Sequence, residues 1–110
     1  MLEQSMIDAV NRYTQAIKET EIYKNYYNRL AVLKQNPETL AKVNEFRQRN
    51  YELQRNYRQD ELLQKLEAFE KEYEDLMENP IVDDFLQAEL AFCRMMQDVE
   101  NLVTEKLDFE

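Results

Sequence analysis

Residues 79–106, NPIVDDFLQAELAFCRMMQDVENLVTEK, decide the fold. Asparagine before proline is helix punctuation. The asparagine side chain accepts from the N–H groups of the first turn, and proline fits the first helical position without losing a bond. Asp83 and Asp84 follow, where carboxylates meet the positive end of the helix dipole. Val82, Phe85, Phe92, Met96, Val99 and Val103 then recur at helical spacing as one apolar seam. Leu86, Leu90 and Cys93 widen it, and Ala88, Ala91, Met95 and Leu102 widen it further. A helix apolar around so much of its circumference is expected to be buried, by a core or by another subunit. Cys93 reads there as a small buried hydrophobe and not as a reactive thiol. Glu89 falls on the seam between Phe85 and Phe92, where a carboxylate is costly unless it is paired. A bond to a tyrosine or arginine of a neighbouring helix is favoured over a specificity device or a partner contact.

The same punctuation occurs upstream at Asn36-Pro37, with Glu38 as the acid of the new first turn. Each asparagine is expected to cap the helix that follows it. Leu2, Met6, Val10, Tyr13 and Ile17 form the stripe of a first helix, and Thr20 is a candidate cap for a second carrying Ile22, Tyr23, Tyr26, Tyr27, Leu30 and Leu33. Leu40, Val43, Phe46, Leu53 and Tyr57 continue after Pro37, and Leu62, Leu66, Phe69, Tyr73 and Leu76 run up to Pro80. The last two stripes differ in phase. Either the chain turns near residues 58–60, with Asp60 capping a new helix, or one long helix changes partners. Charge favours the turn. Within residues 42–58 Lys42, Arg47, Arg49, Arg55 and Arg58 oppose only Glu45 and Glu52, whereas residues 60–84 hold ten acids against Lys65 and Lys71. An antiparallel fold-back would set opposite charges side by side, within one chain or between copies. The spacing predicts helices over residues 3–19, 21–35, 38–58, 60–78 and 81–106, in a single all-helical domain spanning 1–110. The expected fold class is all-α: an antiparallel helical bundle or hairpin, completed by oligomerisation.

Composition excludes much chemistry. The chain of 110 residues has no glycine and no histidine, where ordinary usage would give about eight glycines. Phosphate-cradling loops, dinucleotide fingerprints and nucleophile elbows need glycine, and zincin, di-iron and Cys-His or Ser-His arrangements need histidine. No catalytic residue, metal site or cofactor is therefore expected. Asp83 with Asp84, or Glu70 with Glu74, offer weak cation ligands, although a solvated acidic face is the commoner outcome. A net charge of −9 argues against nucleic acid and anionic membrane surfaces as partners. With one cysteine, no signal-like apolar run in residues 1–10 and no membrane-length apolar stretch, a cytoplasmic protein without membrane insertion is expected. Tyrosines are enriched at interface hot spots, which makes Tyr23, Tyr26 and Tyr27 candidate partner contacts; core packing of the same rings is the competing reading. Phe85, Glu89, Phe92, Met96 and Val99 are the candidate oligomer or core seam.

Glu19-Thr20-Glu21 leading into Tyr23 and Tyr26, the Asn36-Pro37 boundary, Phe46, and Asn79-Pro80 with Val82, Phe85 and Ala88-Glu89 resemble the YlbF/YmcA family of bacterial helical proteins. The likeness covers about residues 5–105, and Leu53 through Phe85 looks closest to YmcA-type members. The resemblance implies an all-α cytoplasmic protein that oligomerises, without known enzymatic activity. It further implies a multiprotein complex acting in competence, sporulation and biofilm formation, linked to mRNA processing through a membrane-anchored endoribonuclease. Some members hold an iron–sulfur cluster on cysteines near the C-terminus; no cysteine follows Cys93, so cluster binding is not expected here. The leading expectation is a non-catalytic adaptor or regulatory subunit that contacts itself, as a homo-oligomer and first of all a dimer, and a protein partner. A carboxylate-based metal-dependent protein or enzyme, and an RNA-contacting helical protein, are the alternatives.

Overall fold

The computed structural model describes residues 1–108, so the last two positions of the predicted domain lie outside the described residues. All regular structure within them is helical: α1 (Gln4–Lys18), α2 (Glu21–Lys34), α3 (Pro37–Asn56), α4 (Gln59–Glu72), α5 (Glu74–Glu78) and α6 (Pro80–Lys106). The all-α expectation holds. At 1.5 Å per residue α6 runs about 40 Å, yet no described helix is long and apolar enough to cross a membrane.

Short polar side chains make the joints, in the absence of glycine. Between α1 and α2 the Thr20 hydroxyl donates to the Ile17 carbonyl (2.7 Å) and accepts from the Tyr23 N–H (3.1 Å). One side chain thus closes the first helix and caps the second. Asn79 behaves as its sequence predicts, its Oδ1 accepting from the Ile81 N–H at 3.0 Å. Asn36 does not. It makes no side-chain cap bond to α3, and its amide reaches back to donate to the Val32 carbonyl at 3.0 Å. With φ −122° and ψ 76° its backbone lies outside the extended region usual for an N-cap. It closes α2, while Pro37 alone supplies the start of α3. Asn79→Ala is therefore expected to lower stability by about 1 kcal/mol, read as a shift in denaturant midpoint, and the loss in Asn36→Ala should come from fraying of α2. Beyond α6, Asp108 takes the left-handed conformation (φ 55°) that a glycine would usually supply.

The chain divides into two compact units, Leu30–Leu86 and Met1–Arg29 with Gln87–Glu110. In the first, α3 packs on α4 and α5. The chain does turn: α3 ends at Asn56, two residues before its expected end, Tyr57 and Arg58 are extended, and α4 begins at Gln59, one residue early. Arg58 holds the cap position, and Asp60 sits inside the first turn beside Glu61. Asp60 therefore meets the dipole and does not cap. The two out-of-phase stripes face each other across the hairpin. Phe46 stacks on Phe69 (centroids 5.1 Å apart) and meets Tyr73 edge-on (5.3 Å). Farther towards the turn Lys65 lies over the Tyr57 ring, so the pairing is antiparallel. The expected helix over 60–78 is broken at Tyr73 (φ −102°, ψ 14°), where the chain leaves α4 and restarts as α5. Tyr73 is buried and its hydroxyl is bonded from α3, so a tertiary anchor sets the break.

Burial is uneven. Leu33, Val43, Phe69, Tyr73, Val82 and Phe85 are the buried apolar side chains of the Leu30–Leu86 unit. Among the described residues the other unit buries one, Ala88. None of α1 is buried.

Candidate functional site

In the Leu30–Leu86 unit a polar lock joins α3 to the α4–α5 joint. Arg49 donates from Nη1 to Glu72 Oε1 (2.6 Å) and from Nη2 to Glu72 Oε2 (3.0 Å), a two-pronged pairing that suits the guanidinium plane. Nη1 also donates to the Tyr73 hydroxyl (2.9 Å), which in turn donates to Glu45 Oε1 (2.9 Å). The same guanidinium lies 5.5 Å from the Phe69 centroid and 5.3 Å from that of Tyr73. This is the opposite-charge pairing that the α3 and α4 compositions call for. The bond from Arg49 holds the Glu72 carboxyl below its ordinary range, and burial pushes the Tyr73 phenol up, with Glu45 also raising it. Arg49 is held further into its charged form by Glu72 and Tyr73. A carboxyl with a lowered folded pKa stabilises the fold above its unfolded pKa and stops doing so as pH falls through the folded value. The Arg49–Glu72 contribution is thus present at neutral pH and lost in acid, as the pH falls below the ordinary glutamate range. Glu72→Gln should flatten that part of the stability–pH curve, as followed by urea midpoints across the acid range.

Phe85, from the predicted seam, is buried in this unit with the Arg47 guanidinium 5.2 Å from its ring centroid. The rest of the seam belongs to the other unit. Phe92, Met96, Val99 and Glu89 are each half-buried, and Glu89 is engaged by neighbouring groups. Cys93 is exposed, contrary to its reading as a buried hydrophobe. Leu90 is exposed too, because the apolar sector of α6 is wider than the face its neighbours cover.

The three tyrosines separate into two roles. Tyr26 stacks on Phe92 (4.9 Å) and Tyr23 meets Phe92 edge-on (5.6 Å), so both are half-buried packing groups. Tyr27 stacks on the outer side of Tyr23 (6.2 Å, 23° between planes) and remains 59% exposed. Beside it lies a surface hollow of about 520 Å³ lined by Lys18, Tyr23, Lys24, Tyr27 and Asn28. The sequence reading missed the two lysines, which lie two residues before and four residues after Thr20, on different helices. A second hollow of about 520 Å³ lies between α1 and the later part of α6, lined by Met6, Ala9, Val10, Tyr13, Met96, Glu100 and Val103. Around it Met6, Val10, Tyr13 and Val103 are 40–49% exposed.

Asp83, Asp84, Glu70 and Glu74 are exposed, and among the described residues no three potential metal ligands gather. Comparison with known proteins decides the family. A family model described as control of competence regulator ComK, YlbF/YmcA, matches residues 6–108. The chain belongs to the YlbF/YmcA family. Its family is thus a regulatory one and not a known enzyme family. A UPF0342 protein of Symbiobacterium thermophilum is 26% identical over 107 residues, covering 96% of each chain. A UPF0342 protein of Desulfitobacterium hafniense is 24% identical over 105 residues, covering 94% of this chain and 85% of its own. No solved structure matches.

Proposed function

We propose that this member of the YlbF/YmcA family is a non-catalytic adaptor or regulatory subunit that works through helix-face contacts with protein. It pairs with a second copy through the α1–α6 face and meets a partner along the Tyr23–Tyr27 edge. The setting is a bacterial cytoplasmic complex of the kind its family resemblance implies, in control of competence, sporulation, biofilm formation or mRNA processing. One observation carries the proposal. Among its described residues the unit built from α1, the start of α2 and the later part of α6 buries only an alanine, while four large apolar residues stay 40–49% exposed around a single hollow. Contiguous apolar surface of that kind is the mark of a protein contact. Symmetric pairing is the commonest way to cover it, since each copy brings the same face.

The partner edge is tested by two single substitutions in the native host. Tyr27→Ala should leave stability within about 0.5 kcal/mol, as expected for an exposed ring, and should abolish capture of the protein partner. Tyr26→Ala removes a ring packed on Phe92 and should instead lower the melting temperature. Retained capture in a well-folded Tyr27→Ala protein would return the edge to ordinary surface.

A further inference from the structure

We infer that the hollow beside Tyr27 is a docking site for an acidic segment of a partner protein, in which carboxylates flank an apolar side chain. The inference rests on reading Tyr23 and Tyr27 as a contact edge and adds the chemistry of what meets it.

Charge is the first ground. The chain holds 23 acidic residues against 14 basic ones, yet the hollow is lined by Lys18, Tyr23, Lys24, Tyr27 and Asn28 without a carboxylate among them. Lys18 comes from the last turn of α1 and Lys24 from the first turns of α2, so the Thr20 joint brings two ammonium groups to one opening. Glu21 lies 3.9 Å from the Lys24 ammonium, but its side chain is 94% exposed and that of Lys24 55% exposed. A pair so exposed contributes little and is readily exchanged for an incoming carboxylate. The second ground is shape. The stacked rings of Tyr23 and Tyr27 give the lining its apolar part, and Asn28 adds both an amide donor and an acceptor. An apolar side chain on the rings, with a carboxylate at one or both lysines, uses every group of the lining. Elsewhere the net charge of −9 repels an acidic partner, so the site would also fix where and how that partner lands.

A single-stranded nucleic acid would use the same rings for stacking. It is disfavoured by number, because two cations neutralise two phosphates, which gives a salt slope of only about −1.4, against repulsion from the whole acidic chain.

The experiment titrates the full-length ¹⁵N-labelled protein with a short peptide of glutamates flanking a central leucine, followed by amide chemical shifts. Saturable shifts centred on Lys18, Lys24, Tyr27 and Asn28 are expected, with affinity falling as salt rises. The Lys18→Gln, Lys24→Gln double variant should bind at least about tenfold more weakly. A control peptide with glutamine in place of glutamate should not bind at the site. Equal binding of that control, unchanged affinity in the double variant, or no saturable shift would each overturn the inference. Tighter binding of oligouridylate than of the acidic peptide would overturn it in favour of nucleic acid. If Tyr27→Ala loses the native partner while the acidic peptide does not bind, the contact edge stands and the acidic chemistry falls.

Discussion

Phe85→Ala is expected to cost about 3–5 kcal/mol, the range for deleting a buried aromatic ring. Domains of this size have about 5–15 kcal/mol in total, so the variant should lose a large share of its stability and unfold at a much lower urea concentration. Phe85 is 2% exposed, the largest of the fully buried side chains, and the Arg47 guanidinium covers its ring. Truncation leaves a void and strands that guanidinium without its aromatic face. Leu63→Ala, at an exposed position of α4, is the matched control and should change stability by no more than about 0.5 kcal/mol. Urea unfolding followed by far-ultraviolet circular dichroism, which reports helix content, reads both.

Val10→Glu should convert the proposed dimer to a monomer without unfolding it. Val10 lines the α1–α6 hollow at 42% exposure, so a glutamate there keeps its water within one copy. In the pair it would be desolvated twice, once in each copy, and a carboxylate buried without a partner costs several kcal/mol. Loss of about 3 kcal/mol would raise the dissociation constant more than a hundredfold. Met96→Glu is the harsher variant, because Met96 is already half-buried within its own chain and its replacement also disturbs the packing beneath.

The helices were legible because their signals are local. Period-3.6 stripes, the threonine at position 20 and the Asn79-Pro80 pair act within a turn or two, and each appears where its spacing puts it. The turn before α4 was legible from phase and charge together. The break at Tyr73 was not, because it depends on Glu45 and Arg49, which lie 28 and 24 positions away. Asn36 and Asn79 each precede a proline and follow a leucine by three positions, and they differ in where the side chain finds its partner, a choice between a carbonyl behind and an N–H ahead that spacing does not resolve. For the candidate site, the rings were found by type and the lysines were not. Lys18 and Lys24 belong to different helices, and only the joint at Thr20 brings them to one hollow. Cys93 was misread because apolar spacing marks a broad sector of α6 without saying how much of it is covered.

The exposed apolar face of α1 and α6 is proposed above as a protein contact. Sedimentation velocity of the full chain at about 10 μM, a concentration that populates an ordinary protein interface, tests it most directly. A dimer is expected for the native sequence and a folded monomer for Val10→Glu. A native chain that sediments as a monomer, with Val10→Glu indistinguishable from it, would contradict the account.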